Sequence, residues 1–382
     1  MNMNEQMKES EESILHTYNR FPVVFEKGQG CYLYDSEGKE YLDFAAGIAV
    51  NSLGYHYPGY DEALKDQIDK LMHISNLYYN EPIIEAGAKL VKASKMSKAF
   101  FTNSGTEAIE GALKAAKKYA YVRDGHADHE IIAMNHSFHG RSIGALSVTG
   151  TAHYREPFEP LMGGVKFADF NDLESVKAQI TDKTCAIITE VVQGEGGIYP
   201  AKKEFLEGLR QICDEKDIML IFDEIQCGMG RTGHYFAWQA YGVQPDIMTS
   251  AKALGCGVPV GAFVLNEKAA KASLEPGDHG TTYGGNPFVC AAVSKVFDIY
   301  ENDKIIEHVQ EMTPYLEQKL DEIVAKHECA ATRRGMGFMQ GIVIQGRPVG
   351  EVVKAALAKG LLVISAGSDV LRIVPPLVIT KE

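Results

Sequence analysis

Two kinds of hydrophobic pattern follow one another along the chain. Residues 31–34 and 39–44 alternate apolar and polar side chains on either side of residues 35–38, which predicts a β-hairpin. From about residue 60 onward, short apolar runs alternate with stretches of helical period. The apolar runs are residues 99–102, 130–134, 186–192, 219–223 and 246–249, and the helical stretches include 106–122, 172–180 and 202–216. Short apolar strands joined by helices predict a mostly parallel sheet covered by helices on both faces.

The two ends of the chain differ from this middle part. Residues 1–20 are polar and predict an amphipathic helix or a loose arm. Two long helices are expected at about 286–302 and 306–326, and a strand-rich tail follows them. This change of pattern indicates a separate C-terminal domain.

The composition is that of an ordinary globular protein, and it indicates the cellular compartment in which the protein is found. Of 382 residues, 45% are hydrophobic and 23% are charged. No run approaches the ~18 apolar residues of a membrane span, and the longest, 258–265, predicts a buried strand. Residues 1–13 lack the layout of a signal peptide, and the seven cysteines form no Cys-x-x-Cys pair. Reduced thiols, a cytoplasmic location and no membrane contact are therefore expected.

The charge of the chain constrains its partners. A formal net charge of −13 argues against a nucleic-acid partner. An anionic substrate would be repelled by the overall field, so it would need arginines placed locally at its site.

The first candidate site follows the first strand of the sheet pattern. In open α/β sheets, ligands bind beyond the carboxyl ends of the strands. Residues 102–108 open a helix there, with Ser104 and Glu107 at the spacing of a capping box. The free N–H groups of Gly105 and Thr106, together with the helix dipole, suit a phosphate. An ordinary capped helix explains this motif equally well when it is taken alone.

The segment after the second strand adds an aromatic ring and an arginine. Phe138 could stack on a flat ring, and Arg141 could clamp a carboxylate, although an ordinary surface loop also explains both. The histidines of this region stand at positions 126, 129, 136 and 139. They straddle a turn and a strand end with no cysteine nearby, which argues against a metal site.

Acidic residues and a lysine follow the next strands. Glu190 and Glu195 lie in the glycine-rich segment 189–197, where a carboxylate could be a base, a ligand or a partner for an arginine. Asp223 ends a wholly apolar strand, where an acid needs a partner such as a cationic cofactor nitrogen. Lys252 stands just past another buried strand, where burial and nearby positive charge would lower its pKa and favour imine formation. Ordinary structure explains each residue alone, but the set predicts a catalytic site.

A glycine motif at residues 228–233 fits the G-x-G-x-x-G pattern of dinucleotide binding. However, other residues separate it from the preceding strand, and aromatic residues follow where a tightly packed helix should begin. No strand-end acid stands about 20 residues further on. The sequence therefore argues against a nicotinamide enzyme.

Taken together, these motifs resemble those of the class III (ω-type) aminotransferases of the pyridoxal-phosphate fold type I. The motifs, in the same order as in that family, are residues 103–108, 138–141, 193–197, 222–233, 251–255 and 280–287. The resemblance runs from about Arg20 to Thr380. Within the class, residues 73–82 are most similar to acetylornithine aminotransferases.

The resemblance implies an α/β fold with a mostly parallel sheet covered by helices and a smaller α+β domain. The large cofactor-binding domain would span residues 50–290. The small domain would be built from both chain ends, namely the N-terminal arm and hairpin at 1–49 and the C-terminal part at 291–382. The family continues into a final helix beyond Thr380, which leaves the packing of the C-terminal domain open.

The resemblance also implies roles in binding pyridoxal phosphate. Lys252 would be the Schiff-base lysine and proton shuttle, and Asp223 would keep the pyridine nitrogen protonated so that the ring acts as an electron sink. Gln226 would reach the ring hydroxyl. The ring faces and the phosphate would be contacted by Phe138, Ile225, Gly105 and Thr106, with Thr282 supplied by the neighbouring subunit. That last role implies a homodimer with its sites at the interface.

The substrate would be a small amino acid or 2-oxo acid held by arginines. Arg372 would take the α-carboxylate of glutamate and Arg141 the distal one. With an ω-amino donor, Glu195 would pair with Arg372 and neutralise it, which leaves Arg141 for the carboxylate of the donor.

The implied reaction transfers the ω-amino group of N2-acetylornithine to 2-oxoglutarate, in arginine biosynthesis. Ornithine aminotransferases have a tyrosine near positions 46–48, where this chain has no hydroxyl, and this favours an acylated α-amine. Ornithine, succinylornithine, acetyl-lysine and 4-aminobutyrate stay open as donors. A pyridoxal-phosphate aminomutase and an inactive cofactor-binding homologue stay open as other functions.

Overall fold

The computed structural model describes residues 2–382 and is built around one seven-stranded sheet. The strands are β1 Phe25–Gln29, β2 Tyr32–Asp35, β3 Glu40–Asp43, β4 Lys98–Thr102, β5 Glu130–Met134, β6 Val165–Ala168, β7 Thr184–Glu190, β8 Val192–Gln193, β9 Tyr199–Pro200, β10 Met219–Asp223, β11 Ile247–Ser250, β12 Gly261–Leu265, β13 Ala330–Met336, β14 Met339–Ile344, β15 Leu361–Leu362, β16 Ile364–Ala366 and β17 Val370–Ile373. The helices are α1 Met3–Ser13, α2 Ala46–Ala49, α3 Tyr60–Lys70, α4 Glu81–Ser94, α5 Gly105–Asp124, α6 Ile143–Ser147, α7 Ala152–Arg155, α8 Leu173–Gln179, α9 Lys203–Lys216, α10 Trp238–Tyr241, α11 Glu267–Ala272, α12 Pro287–Asn302, α13 Ile305–Lys326 and α14 Val349–Ala358.

The central sheet confirms the predicted α/β fold. Its order is β4-β12-β11-β10-β7-β5-β6. Strand β12 runs antiparallel to both of its neighbours, and the other neighbouring pairs are parallel. β5 and β10 have the predicted bounds. The strand predicted at 186–192 is instead divided into β7 and β8, because the chain bends at Val191.

Both faces of this sheet are buried, as the continuous apolar runs require. Alternate residues of a strand point to opposite faces. In β5, Ile131 and Ala133 pack in one hydrophobic core together with residues of α5, whereas Ile132 and Met134 pack in a second core on the other face. All residues of β7 and β10 are buried. The two faces of the sheet therefore form two separate hydrophobic cores.

A second, smaller group of elements is formed by both ends of the chain. The predicted hairpin is present, since β2 and β3 pair antiparallel. β3 also pairs in parallel with β15, so the hairpin shares a sheet with the C-terminal part of the chain. A further sheet has the order β13-β14-β17-β16. These pairings support a small domain from both ends, and the boundaries at 49/50 and 290/291 stay predictions.

The N-terminal stretch is helical over α1, and Asn2 and Glu5 form a capping box at its start. None of the residues of α1 is buried. None of the helices within residues 2–382 combines the length and the apolar character that crossing a membrane requires.

Candidate active site

A cavity of about 430 Å³ lies beyond the carboxyl ends of β4, β5, β7, β10 and β11. It gathers predicted site residues that are far apart in the sequence. The predicted residues in its lining are Gly105, Thr106, Phe138, Arg141, Asp223, Ile225, Gln226 and Lys252. Three predicted residues, Glu195, Thr282 and Arg372, lie outside the lining of this cavity.

The N-terminus of α5 forms one end of the cavity. The hydroxyl of Ser104 caps the helix by accepting a hydrogen bond from Glu107 N at 3.3 Å. The reciprocal bond of the predicted capping box is displaced by one residue, because the Glu107 carboxylate accepts from Asn103 N at 2.6 Å. The N–H groups of a first helical turn lack intrahelical partners, so this end of α5 suits an anion. Gly105 keeps it open, since a Cβ there would stand 2.9 Å from Ile225 Cδ1.

A loop after β5 closes over the same helix end. The hydroxyl oxygens of Thr106 and Ser142 are 2.7 Å apart. Gly140 has a φ of +140°, and a Cβ there would stand 2.3 Å from Thr106 Oγ1. Only glycine allows this approach. Ser142 is a polar neighbour of the anion site that sequence reasoning missed, and its sequence context carries no signal for it.

Asp223, the last residue of β10, is only 4% exposed. Its carboxylate accepts hydrogen bonds from Thr249 Oγ1 at 3.2 Å and Ile225 N at 3.0 Å, and it lies 2.7 Å from His139 Nδ1. The other ring nitrogen of His139 is buried without a partner among the residues described. Sequence reasoning missed both His139 and Thr249 as partners. Thr249 stands opposite Asp223 in the β10–β11 pairing, but strand register is not visible in the sequence.

Glu190 stands beside Asp223 in the β7–β10 pairing and is 5% exposed. Burial, followed by the negative charge of Asp223, raises the pKa of Glu190 well above its ordinary value. Its carboxyl oxygens accept hydrogen bonds from Gly194 N at 3.1 Å and Phe138 N at 3.3 Å. Glu190 thus ties together two of the loops that line the cavity.

Lys252 follows β11 and lines the cavity wall. Its φ of +51° is unusual for a residue with a side chain and marks a strained backbone, as is common at functional sites. Burial lowers the pKa of Lys252 to about 8. The amine is therefore much closer to its nucleophilic, uncharged form at neutral pH than a surface lysine is. The burial and the lowered pKa that the sequence predicts for Lys252 are therefore present, and its catalytic role stays a prediction.

Arg141 lies at the mouth of the cavity on aromatic rings. Its guanidinium carbon is 3.9 Å from the centre of the Tyr154 ring and 5.5 Å from that of Phe138. Cation–π contacts of this kind fix a guanidinium without occupying its hydrogen bonds. Arg141 is exposed, and its guanidinium makes no hydrogen bond or ion pair with any of residues 2–382, so its donors can bind a carboxylate. Tyr154 was missed by sequence reasoning.

Glu195 and Arg372 form an ion pair next to the cavity. Arg372 Nη1 lies 2.5 Å from Glu195 Oε1, and Nη2 donates to Oε2 at 3.3 Å. Burial alone would raise the pKa of Glu195, but Arg372 holds this pKa below its ordinary value. Arg372 is 3% exposed, and its Nη1 also donates to Gln226 Oε1 at 3.1 Å. The predicted partners are therefore in contact, and Gln226 connects them to the cavity.

Thr282 is not among the residues that line the cavity of its own chain. It is exposed on the loop before α12, next to Tyr283, which is 62% exposed. An exposed position is what a contribution to a neighbouring subunit would require.

The four histidines considered for a metal lie in three places. His136 lines a cleft that also contains Glu195. His139 belongs to the cavity. Asp124, His126 and His129 lie together, with potential ligand atoms within 4.8 Å of one another. However, Arg123 donates to both oxygens of Asp124 at 2.6 Å, and the rings of the two histidines stack at 4.6 Å. A cation would have to displace these contacts.

The glycine motif at 228–233 is part of the protein interior. Arg231 is 1% exposed and donates hydrogen bonds to the carbonyl oxygens of Phe338 and Pro375. A Cβ at Gly230 would stand 2.8 Å from Leu377 Cδ1. The motif therefore joins the central sheet region to the C-terminal part of the chain.

Comparison with known proteins places this geometry among enzymes. The family described as aminotransferase class-III matches residues 14–382. The acetylornithine aminotransferase of Clostridium acetobutylicum is 48% identical, over 98% of this chain and 96% of its own length. The succinylornithine transaminase of Yersinia pseudotuberculosis is 44% identical, over 97% of this chain and 92% of its own.

Solved structures of the same kind superpose over 98% or more of the chain. The ornithine aminotransferase of Toxoplasma gondii has a TM-score of 0.95 at 29% identity and covers 100% of this chain and 92% of its own. The N-acetylornithine aminotransferase of Stenotrophomonas maltophilia has a TM-score of 0.84 at 36% identity and covers 98% and 94% respectively.

Proposed function

The chain belongs to the class III aminotransferases, and on this premise we propose that it transfers the ω-amino group of N2-acetylornithine to 2-oxoglutarate, with pyridoxal phosphate as cofactor. The observation that carries the proposal is the convergence of Lys252, Asp223 and the N-terminus of α5 on one cavity. The relatives named acetylornithine aminotransferases, at 44–48% identity, support this donor. We place the reaction in arginine biosynthesis and in the cytoplasm, which the reduced cysteines favour.

The residues present fit this cofactor. The helix end at Gly105 is an open cradle for an anion, because a side chain there would meet Ile225. Gly105 and Thr106 would hold the phosphate, and the ring would lie between Phe138 and Ile225. Gln226 would donate to the ring hydroxyl through its amide nitrogen, since its amide oxygen accepts from Arg372.

When bound, pyridoxal phosphate supplies an electron sink for changes at the carbon that bears the amino group. Lys252 would hold the cofactor covalently and afterwards move a proton at that carbon. Asp223 would accept a hydrogen bond from the pyridine nitrogen, and His139 and Thr249 orient its carboxylate. Asp223 ends β10 and Lys252 closely follows β11, so both groups are fixed by the sheet and little reorganisation is needed.

Two arginines would sort the substrates. Arg141 would bind the carboxylate of the ω-amino donor while Glu195 neutralises Arg372. The dicarboxylates 2-oxoglutarate and glutamate would displace Glu195 and use both arginines. The Glu195–Arg372 contact and the free donors of Arg141 support this scheme.

We further propose a homodimer with its sites at the interface. A group of apolar side chains near α4 is exposed in the single chain, namely Leu77 at 86%, Tyr78 at 64% and Tyr79 at 95%. Contiguous exposed aromatic residues are typical of protein interfaces. Thr282 and Tyr283 are exposed as well, so a partner seated on this face could receive Thr282 in its own site.

The test is the absorbance of the purified protein before and after addition of N2-acetylornithine, followed by 2-oxoglutarate. We expect the band of the lysine-bound cofactor to disappear with the donor and to return with the acceptor, and Lys252→Ala to show neither change. If the band does not change with this donor but changes with succinylornithine or ornithine, the proposed donor would be that compound instead. Turnover without 2-oxoglutarate would indicate an aminomutase. No band after addition of pyridoxal phosphate would overturn the proposal.

A further inference from the structure

The segment that carries Glu195 is rich in glycine and depends on contacts from outside for its shape. It connects β8 to β9 and contains Gly194, Gly196 and Gly197. Gly197 has a φ of +119°, and the following Ile198 a φ of +60°. Glycines lose more conformational freedom on folding than other residues, so such a segment does not hold one shape by itself.

Two arginines of the C-terminal sheet contact this segment at two points. Arg372 binds the carboxylate of Glu195, as described above. Arg334 donates from Nε to the carbonyl oxygen of Gly197 at 2.7 Å. Its guanidinium also lies over the Tyr199 ring, 3.6 Å from the ring centre. A bidentate contact and a stacked guanidinium are the means by which arginine fixes a partner in orientation as well as in distance.

The two arginines occupy one row of that sheet. Arg334 of β13 stands opposite Gly341 of β14, and Gly341 stands opposite Arg372 of β17. Residues in register on neighbouring strands have their side chains on the same face. Gly341 leaves the middle of the row open, and a Cβ there would stand 3.1 Å from Ile198. The Glu195 segment therefore lies across the row, with Ile198 above the glycine and an arginine on each side.

We propose that Arg334 is a positioning residue for Glu195 and thereby sets how well the enzyme discriminates between its ω-amino donor and glutamate. This inference rests on the proposed function. By holding the backbone at Gly197, Arg334 confines Glu195 to the vicinity of Arg372. When a dicarboxylate arrives, only the Glu195 side chain has to leave. Without Arg334, the segment is less ordered, and the ion pair between Glu195 and Arg372 is weaker. A second carboxylate of the substrate then displaces Glu195 from Arg372 more easily.

Arg334→Gln should therefore shift the substrate preference towards glutamate. The ratio of kcat/KM for N2-acetylornithine to that for glutamate should fall about three- to tenfold, as for the loss of one hydrogen bond. The affinity for glutarate, an unreactive dicarboxylate, should rise by a similar factor in calorimetry. Arg334→Lys keeps the charge but loses the planar group, so it should change the substrate ratio and the glutarate affinity in the same direction. It can replace Arg334→Gln in the experiment if Arg334→Gln does not fold.

Arg333 provides a matched control on the same strand. It binds Asp321 through Nε at 2.7 Å and Glu317 at 3.2 Å, on the side of α13 and away from the Glu195 segment. Arg333→Gln makes the same substitution on the same strand and removes ion pairs that do not involve the Glu195 segment. It should lower the melting temperature without changing the substrate ratio or the glutarate affinity.

A double-mutant cycle with Glu195→Gln decides whether Arg334 acts through Glu195. If it does, Arg334→Gln should have no effect on the ratio in the Glu195→Gln background. The same effect in both backgrounds, or a change in melting temperature alone, would overturn the inference. Absence of transamination in the unaltered protein would instead refute the proposed function, so the two failures are distinguishable.

Discussion

The amine of Lys252 stands among charges that act on it in opposite directions. Burial has the largest effect and lowers its pKa to about 8, whereas Glu195 raises it and Arg372 lowers it. Only the uncharged amine can attack the aldehyde of pyridoxal phosphate. Below pH 8 the rate of cofactor capture by the cofactor-free protein should thus fall, roughly tenfold per pH unit. Stopped-flow absorbance between pH 6 and 9 measures this rate.

A variant at Glu195 checks the direction of this pH dependence. Glu195→Gln removes a charge that raises the pKa of Lys252, so the midpoint of the profile should move to lower pH. A profile that is flat from pH 6 to 9 would contradict the role of Lys252, and an upward shift would contradict the assigned charges.

Glu195 itself should determine substrate preference. In Glu195→Gln the ion pair with Arg372 is lost, which leaves the guanidinium free for the α-carboxylate of glutamate. We expect glutamate to improve relative to N2-acetylornithine by about tenfold or more, since hydrogen bonds between charged groups are stronger than neutral ones. Steady-state kinetics with each amino donor measures the ratio. Unchanged selectivity would refute the exchange of partners at Arg372.

At the residue scale, the sequence predicts the groups that lie directly after strands and misses those that reach the site through register or packing. Asp223 and Lys252 are visible because a charged residue at the end of an apolar run needs an explanation. Thr249, Ser142 and Tyr154 carry no such signal. Their contacts depend on strand pairing and loop path, which a single sequence does not reveal.

At the element scale, α5 connects the anion site to the sheet through a very close approach. A Cβ on Gly111 would stand 2.2 Å from the ring of Phe263, which is buried and stacks on Phe100 at 5.1 Å. The ring cannot move aside without disturbing the core. Gly111→Ala should therefore destabilise the fold by about 1–3 kcal/mol, as overpacked cores do. Thermal unfolding measures the difference.

Gly87 in α4 is the matched control for this substitution. Its nearest neighbour would be Phe101 Cε2 at 3.9 Å, an ordinary contact. Alanine there should stabilise the helix by roughly 0.5–1 kcal/mol, because glycine is the more costly residue in a helix. If both variants shifted the melting temperature in the same direction, the packing argument for Gly111 would be wrong.

Elements of regular period are predicted well, and irregular ones are not. The bounds of β5 and β10 follow from short, wholly apolar runs, and the long helices follow from their period. In contrast, β1 and β6 were not predicted. Only one of the five residues of β1 is even partly buried, so it lacks the continuous apolar pattern that identifies a buried strand. β15 has two residues and exists only through its pairing with β3.

At the scale of the whole molecule, the exposed face near α4 predicts the assembly. We expect the purified protein to have twice the mass of the chain in sedimentation or light scattering. Tyr79→Glu places a charge on the face and should yield a monomer with little activity, because Thr282 would no longer reach a partner. Tyr121→Glu, at another exposed tyrosine, should leave the dimer intact. A stable, fully active monomer would refute the proposed interface.

The overall charge also bears on how substrates arrive. A net charge of −13 repels a dicarboxylate at long range. Yet a cleft of about 1030 Å³ leads to Arg372 and is lined by Arg20, Lys39 and Lys354, with no aspartate or glutamate among the described residues of its lining. A second cleft, of about 840 Å³, leads to Glu195 and carries Asp169 and Asp369 without lysine or arginine in its described lining. The cleft that leads to Arg372 is thus positively charged, and the cleft that leads to Glu195 is negatively charged.

If the basic cleft attracts dicarboxylates, Lys354→Glu should lower kcat/KM for 2-oxoglutarate about three- to tenfold at low ionic strength, because exposed charges act at this range only when salt is dilute. The difference should vanish near 1 M salt, where the Debye length is about 3 Å. N2-acetylornithine, whose ammonium and carboxylate cancel, should be affected far less. Lys326→Glu makes the same change of net charge at the end of α13 and should have little effect on either substrate. Equal effects of the two substitutions would mean that net charge alone governs the rate and that the cleft has no part in it.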